Sequence, residues 1–169
     1  MMIAAFDVHY LEEGCAAAAV LFSEYGDATP AAEYTHFLSG AADYIPGEFY
    51  RRELPGILSL LEQISDVPDE MIIDGYVMLG NKPGLGQHLF KTFDGKIPVI
   101  GVAKSRFKGA YGTEIYRGGS LHPLYITAAG VDLQKASEKI RRMHGAHRIP
   151  TLLKRVDHLA REKTKIGPY

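Results

Sequence analysis

The sequence predicts an α/β fold: a mixed central sheet whose first three strands are antiparallel, with helices covering its faces. Three observations carry that prediction. The first quarter of the chain sets short extended segments beside tight turn signals, too close together for a crossover helix. From residue 53 onward, segments of helical apolar spacing alternate with short apolar runs. Finally, 46% hydrophobic and 23% charged residues over 169 positions is the composition of a globular chain long enough to bury a full core.

The elements follow in order. Residues 2–9 and 15–24 are rich in small, β-branched and aromatic residues, and 31–38 follows the turn cluster Asp27-Ala28-Thr29-Pro30. Short connections make these three an antiparallel meander. Leu54, Ile57, Leu58, Leu61 and Ile64 recur at helical spacing, so 53–66 is expected as an amphipathic helix with Glu53 at its mouth. Met71 to Leu79 reads as a buried strand and Gly84 to Phe93 as a short helix. Ile97 to Ala103 is a further apolar strand, with Pro98 at its start. The glycine-rich 105–122 reads as a loop or a ribbon, and Leu124 to Thr127 as a short strand. Asp132 to Met143 and Thr151 to Lys163 complete the chain as helices, Pro150 opening the second. The expected sheet has five strands. With no repeat and no linker, 1–169 is expected to form one domain.

Bulk properties exclude several classes. No apolar run approaches the roughly 18 residues that a membrane span requires. One cysteine, Cys15, cannot form an internal disulfide; its strand setting suggests a small core residue and a reducing, cytoplasmic home. The net charge of −1 conceals an asymmetry, because residues 131–169 hold ten Lys/Arg against four Asp/Glu. Such a basic section suits a polyanion, and it equally suits helices with solvated basic faces. No phosphate-binding G-x-x-x-x-G-K-[ST] run and no nucleophile elbow occurs. His122, His144, His147 and His158 lack partners at metal-ligand spacing, and His88 reads as a partly buried, satisfied side chain.

Three acids stand out. Asp7 lies inside the apolar run Ile3-Ala4-Ala5-Phe6-Asp7-Val8, Glu53 opens a helix, and Asp74 ends the strand Met71-Ile72-Ile73 before Gly75. Acids in such settings cost desolvation energy unless positive charge meets them, and three from distant parts of one chain suggest a shared Mg²⁺ or Mn²⁺ site. Singly, each also fits a plain reading: a helix-mouth acid favoured by the dipole for Glu53, a polar strand end for Asp7 and Asp74. Lys104 ends an apolar strand. Arg51 and Arg52 precede Glu53 and suit phosphates, with neutralising Glu48 the alternative for one of them.

Several short motifs share one pattern. Tyr44-Ile45-Pro46-Gly47 resembles the Y-I-P-G turn of the endonuclease V family, and Arg52-Glu53-Leu54-Pro55 its R-E-x-P. Ile73-Asp74-Gly75 resembles its D-G motif, Gly101-Val102-Ala103-Lys104-Ser105 its G-V-A-K-[KS], and Asp7 falls on its first-strand aspartate. Pro123-Leu124-Tyr125-Ile126 and Ile149-Pro150 lie in matching order, so the similarity spans roughly residues 3–160. The run 76–83 departs from the family pattern, with Gly80 where a histidine is usual, and Ala129-Gly130-Val131-Asp132 lacks a second one.

The resemblance implies an RNase H-like fold and Mg²⁺- or Mn²⁺-dependent cleavage of DNA or RNA 3′ to a deaminated base such as inosine. It implies Asp7, Glu53 and Asp74 as metal ligands and Lys104 on the phosphate. The Tyr44, Ile45 and Pro46 turn would pry the strand, Arg51 and Arg52 would meet phosphates, and Gly75 and Tyr76 would border the base. Asp132 has two readings, a helix cap or a fourth metal-facing carboxylate, since RNase H-like nucleases often place one at the start of the last helix. The expected partner is nucleic acid, with no membrane, no organic cofactor and a monomeric chain. Two other functions stay open: a nucleic-acid-binding relative without full catalysis, and a metal-dependent nuclease for another structured or damaged nucleic acid.

Overall fold

The computed structural model describes residues 1–40, 48 and 50–166, the last four of these as backbone alone. Strands β1 (Ile3–Leu11), β2 (Gly14–Phe22) and β3 (Ala32–Ser39) form the expected antiparallel meander. Helix α1 (Tyr50–Gln63) leads to β4 (Glu70–Asp74), and a small hairpin, β5 (Met78–Leu79) with β6 (Lys82–Pro83), leads to α2 (Leu85–Thr92). Then come β7 (Val99–Ala103), β8 (Thr113–Ile115), β9 (Leu124–Ala129), α3 (Leu133–Arg141) and α4 (Thr151–Ile166). The main sheet has seven strands in the order β3-β2-β1-β4-β7-β9-β8. Strands β1, β4 and β7 are parallel, and every other pairing is antiparallel.

Side-chain alternation along each strand divides the core in two. Ile3, Ala5, Ile72, Ile100, Val102 and Ile126 face α3 and α4, meeting Ala136, Ile140, Leu152 and Val156. Ala4, Phe6, Val8, Met71, Ile73 and Val99 face α1 and α2, meeting Ile57, Leu60, Leu85 and Leu89. The alanine run of β2 is buried along its whole length between these layers. Small side chains there let a helix come close: a Cβ on Gly56 of α1 would lie 3.1 Å from the Ala17 methyl. Cys15 is buried, as expected of a small core residue.

The structure corrects three expectations and, of the two readings of Asp132, bears out the helix cap and not the metal-facing carboxylate. The sheet has seven strands rather than five, partly because the glycine-rich segment contributes β8 as an edge. The strand expected over 71–79 ends at Asp74, because Gly75 takes φ +127, a conformation that turns the chain out of the sheet. Helix α1 begins at Tyr50, three residues before Glu53, and carries Pro55 inside it. Finally, Asp132 is the N-cap of α3, its Oδ1 accepting from the Lys135 backbone N–H at 3.0 Å. Pairing of Ala129 with Val99 puts that cap at the edge where β4 and β7 begin, a strand length of roughly 15 Å from the edge where they end. Asp132 therefore cannot reach the other acids.

The hairpin after Gly75 is tied to the sheet by a close backbone approach. A Cβ on Gly101 would stand 2.5 Å from the Gly75 carbonyl oxygen and 2.6 Å from Thr127 Oγ1, the atom that accepts from the Val77 N–H at 2.9 Å. Gly101→Ala should therefore cost about 1–3 kcal/mol in urea denaturation, whereas Gly26→Ala, which meets nothing within 4 Å, should cost far less. Equal stability of the two variants would contradict this packing.

Candidate active site

The in-step parallel pairing of β1 with β4 and β4 with β7 builds one edge of the site. Phe6 pairs with Ile73 and Asp74 with Val102, so Asp7 and Asp74 are neighbours on adjacent strands and Lys104 follows just beyond β7. Alternation then points Asp7, His9, Asp74 and Lys104 to one face, the face that carries α4. Strand carboxyl ends are where open α/β sheets place their ligand sites. Helix α1 brings Glu53 to the same opening from the other side. The resulting cleft, about 570 Å³, is lined by Asp7, His9, Glu53, Asp74, Gly75, Tyr76, Lys104, Phe107, Asp157 and Arg161, among others. Asp7, Glu53 and Asp74 also share the lining of a small void of about 10 Å³, space for roughly one water.

Asp7 is 6% exposed, and its Oδ1 accepts from the Val8 N–H at 2.9 Å. Its Oδ2 is buried and has no hydrogen-bond donor among the described residues. His9 Nε2 lies 3.3 Å from that oxygen but is engaged with Asp157 Oδ1 at 3.1 Å, and one N–H cannot serve both well. Ligating atoms of Asp7, His9 and Asp157 all lie within 4.8 Å of one another. Arg161 Nε donates to Asp157 Oδ2 at 3.0 Å, and Lys104 Nζ stands 3.4 Å from Asp74 Oδ2.

Burial and the neighbouring charges set the electrostatics at this edge. Burial raises Asp7 to about 6, with the Asp74 charge adding to it and His9 opposing. Burial likewise raises Glu53 to about 7; the charges of Asp74 and Asp7 add, and the Tyr10 hydroxyl opposes. Burial alone would raise Asp157, but hydrogen bonding with Asp7, Arg161 and His9 brings it down to about 2. The Asp7 carboxyl beside its ring raises His9 against the effect of burial.

The remaining expected residues distribute as follows. Arg51 pairs with Glu48 at 3.0 Å, the alternative to a phosphate contact, and Arg52 lies over the Tyr10 ring at 4.1 Å. The Tyr76 hydroxyl donates to the Ser105 carbonyl at 2.8 Å and accepts from the Phe107 N–H at 3.2 Å, fixing its ring against Phe107 in the cleft wall. His88 stacks on Tyr50 with ring centroids 3.6 Å apart. Tyr44, Ile45 and Pro46 lie outside the described residues.

Sequence reasoning misses two members of the cluster. His9 follows Asp7 by two residues on a strand, so it shares that face, a signal visible in the sequence. Asp157 borders the apolar stripe of Leu152, Val156 and Leu159 on the last helix. The carboxylate that the last helix contributes is thus Asp157, and Asp132 lies one helix too early.

Known proteins share this arrangement of strands and helices. The endonuclease V family model matches residues 1–140. Endonuclease V of Nostoc punctiforme is 31% identical over 142 residues, covering 71% of this chain and 63% of that protein, under two thirds of its length. The crystal structure of endonuclease V from Streptomyces avermitilis superposes with a TM-score of 0.80 at 27% identity, covering 98% of this chain and 82% of that one. Ciona intestinalis endonuclease V, solved in complex with a 24-mer DNA containing an inosine followed by a ribo-adenosine, gives 0.81 at 19% identity, covering 98% and 86%. The mixed sheet flanked by helices is thus the RNase H-like α/β fold of these proteins. Matched motifs, matched fold and a family model over most of its length establish that the chain belongs to the endonuclease V family.

Proposed function

We propose that this chain is a divalent-metal-dependent endonuclease that cleaves a phosphodiester 3′ to inosine in DNA or RNA. The observation that carries the reading is the convergence of Asp7, Glu53, Asp74 and Asp157 on one cleft, where burial and mutual charge raise Asp7 and Glu53. The inosine-containing DNA bound by the Ciona relative supports the choice of substrate.

The residues fit a hard dication. The donor set is carboxylate oxygen with one imidazole, and Asp7 Oδ2 is a buried acceptor without a donor among the described residues. The ligating atoms that lie within 4.8 Å of one another are those of Asp7, His9 and Asp157; Glu53 and Asp74, which line the same cleft, would join Asp7 in holding the ion as the family resemblance implies. When bound, Mg²⁺ or Mn²⁺ supplies an activated water and neutralises charge on the phosphate ester. Lys104, now near Asp74, is placed to meet the scissile phosphate. The Tyr76–Phe107 wall offers an aromatic surface to a displaced base, and Gly75 leaves the backbone open beside it. Arg51 and Arg52 are assigned to backbone phosphates, and the Tyr44-Ile45-Pro46 turn to prying the strand, as the family resemblance implies. In the family the cut falls at the second phosphodiester 3′ to the lesion. The family's histidine after Asp74 has no counterpart in hairpin 78–83; an imidazole reaches the carboxylates from β1 instead.

Incubating the protein with inosine-containing single- and double-stranded DNA and RNA should give Mg²⁺- or Mn²⁺-dependent cutting that EDTA abolishes. Asp74→Ala or Asp7→Asn should lower the rate by about a hundredfold or more. Tight binding with no cutting under any metal would point instead to a binding protein.

The same acids make stability depend on pH. Asp7, near 6, and Glu53, near 7, bind protons in the folded state that the unfolded chain has released, and raised His9 acts with the same sign. Their stabilisation is complete below about pH 4 and is lost as pH rises through 6 to 7, each tenfold gain in proton affinity on folding being worth about 1.4 kcal/mol. Asp157, near 2, has the opposite sign, but its effect falls below pH 4. In EDTA the melting temperature should therefore drop between pH 5 and pH 8, and Mg²⁺ should restore it most at pH 8. Asp7→Asn should flatten the EDTA profile and blunt the Mg²⁺ response; an unchanged profile would contradict the assignment.

A further inference from the structure

We propose that a second groove, beside the cleft, binds backbone phosphates of the same nucleic-acid strand; this rests on the nuclease reading above. The groove, about 340 Å³, is lined by Lys104, His147, Arg148, Ile149, Lys154 and Asp157. Lys104 and Asp157 belong to the cleft as well, so one channel runs from the acids into a basic extension. Its single acid, Asp157, already meets Arg161 and His9. Among the described residues, Lys154 has no carboxylate partner, and Arg148 donates only to backbone carbonyls of Lys104, His122 and Pro123. Lys154 and Arg148 therefore bring positive charge to a groove whose one lining carboxylate among the described residues is already engaged, while Lys104 at its junction with the cleft pairs with Asp74.

The loop that presents His147 and Arg148 is held rigidly. Arg117, 7% exposed, sends its guanidinium to the carbonyls of Met143 at 2.6 Å, His147 at 2.8 Å, Gly145 at 3.1 Å and Arg148 at 3.2 Å. Burying a guanidinium without a carboxylate costs solvation and adds positive potential under the loop. What it secures is a fixed backbone, and with it fixed positions for the basic side chains, which lowers the ordering cost of binding. Positive charge, rigidity and continuity with the cleft together match a phosphodiester chain. The excess of basic residues in 131–169 is consistent with this: Lys139 and Arg155 are paired with Glu70 and Glu33, whereas Lys154 faces the groove.

The test uses the exposed positions Lys154 and His147, with exposed Lys135 on α3 as a control at the other edge of the sheet. Anisotropy of a fluorescein-labelled, inosine-containing single-stranded oligonucleotide is measured against KCl, with Ca²⁺ replacing Mg²⁺. Lys154→Ala should weaken binding several-fold at low salt and make the slope of log K against log [KCl] shallower by about 0.7. Lys154→Arg should restore both, His147→Ala should weaken binding, and Lys135→Ala should behave as wild type. Melting temperatures confirm that each variant is folded. If wild type binds and Lys154→Ala matches Lys135→Ala in affinity and slope, the groove proposal is overturned while the nuclease reading stands. If wild type binds no nucleic acid, both are overturned.

Discussion

Everything at the active edge depends on the register of three parallel strands. Because β1, β4 and β7 run in step, residues 7, 74 and 104 emerge at one end and on one face. A slip of one residue in either pairing would turn an acid from the α4 layer to the α1 layer, where Phe6, Val8 and Ile73 now pack. The hydrophobic alternation that builds the core is therefore also what aims the carboxylates. Stability and site are set by the same constraint, and the site inherits the rigidity of the sheet.

The cluster itself is a local violation of good packing. Asp7 is almost wholly buried with one oxygen unanswered among the described residues, and Glu53 is raised by burial and by its neighbours' charge. A protein selected for stability alone would fill this space with apolar groups. Protonation and His9 ease the repulsion in the absence of a cation, and a dication would ease it more completely. The surroundings divide by charge: acids at the strand ends, Lys104 and the Arg148 loop beside them.

Much of the fold was legible because local signals agreed with it. The N-terminal meander, helix α2 and the two C-terminal helices fall close to their expected ranges, since periodicity and turn residues both pointed the same way. Strand β8 was not legible, because three residues among many glycines give no alternation to read. The true end of β4 was hidden because Val77, Met78 and Leu79 continue its apolar character, and only the conformation of Gly75 breaks it. In the site, Asp7, Glu53, Asp74 and Lys104 were found through motifs and do share a cleft. His9 required applying strand alternation to Asp7. Asp157 required knowing that α4 packs over β1, a contact between residues about 150 positions apart that no local pattern encodes.

The central claim is that these acids are spaced to share a divalent cation. It is tested most directly by a crystal soaked in Mn²⁺ and measured for anomalous scattering. A strong peak bounded by the carboxylates of Asp7 and Asp74, and absent from crystals of Asp7→Asn, is the result predicted. Full occupancy elsewhere on the surface, with this cleft holding only water, would contradict it.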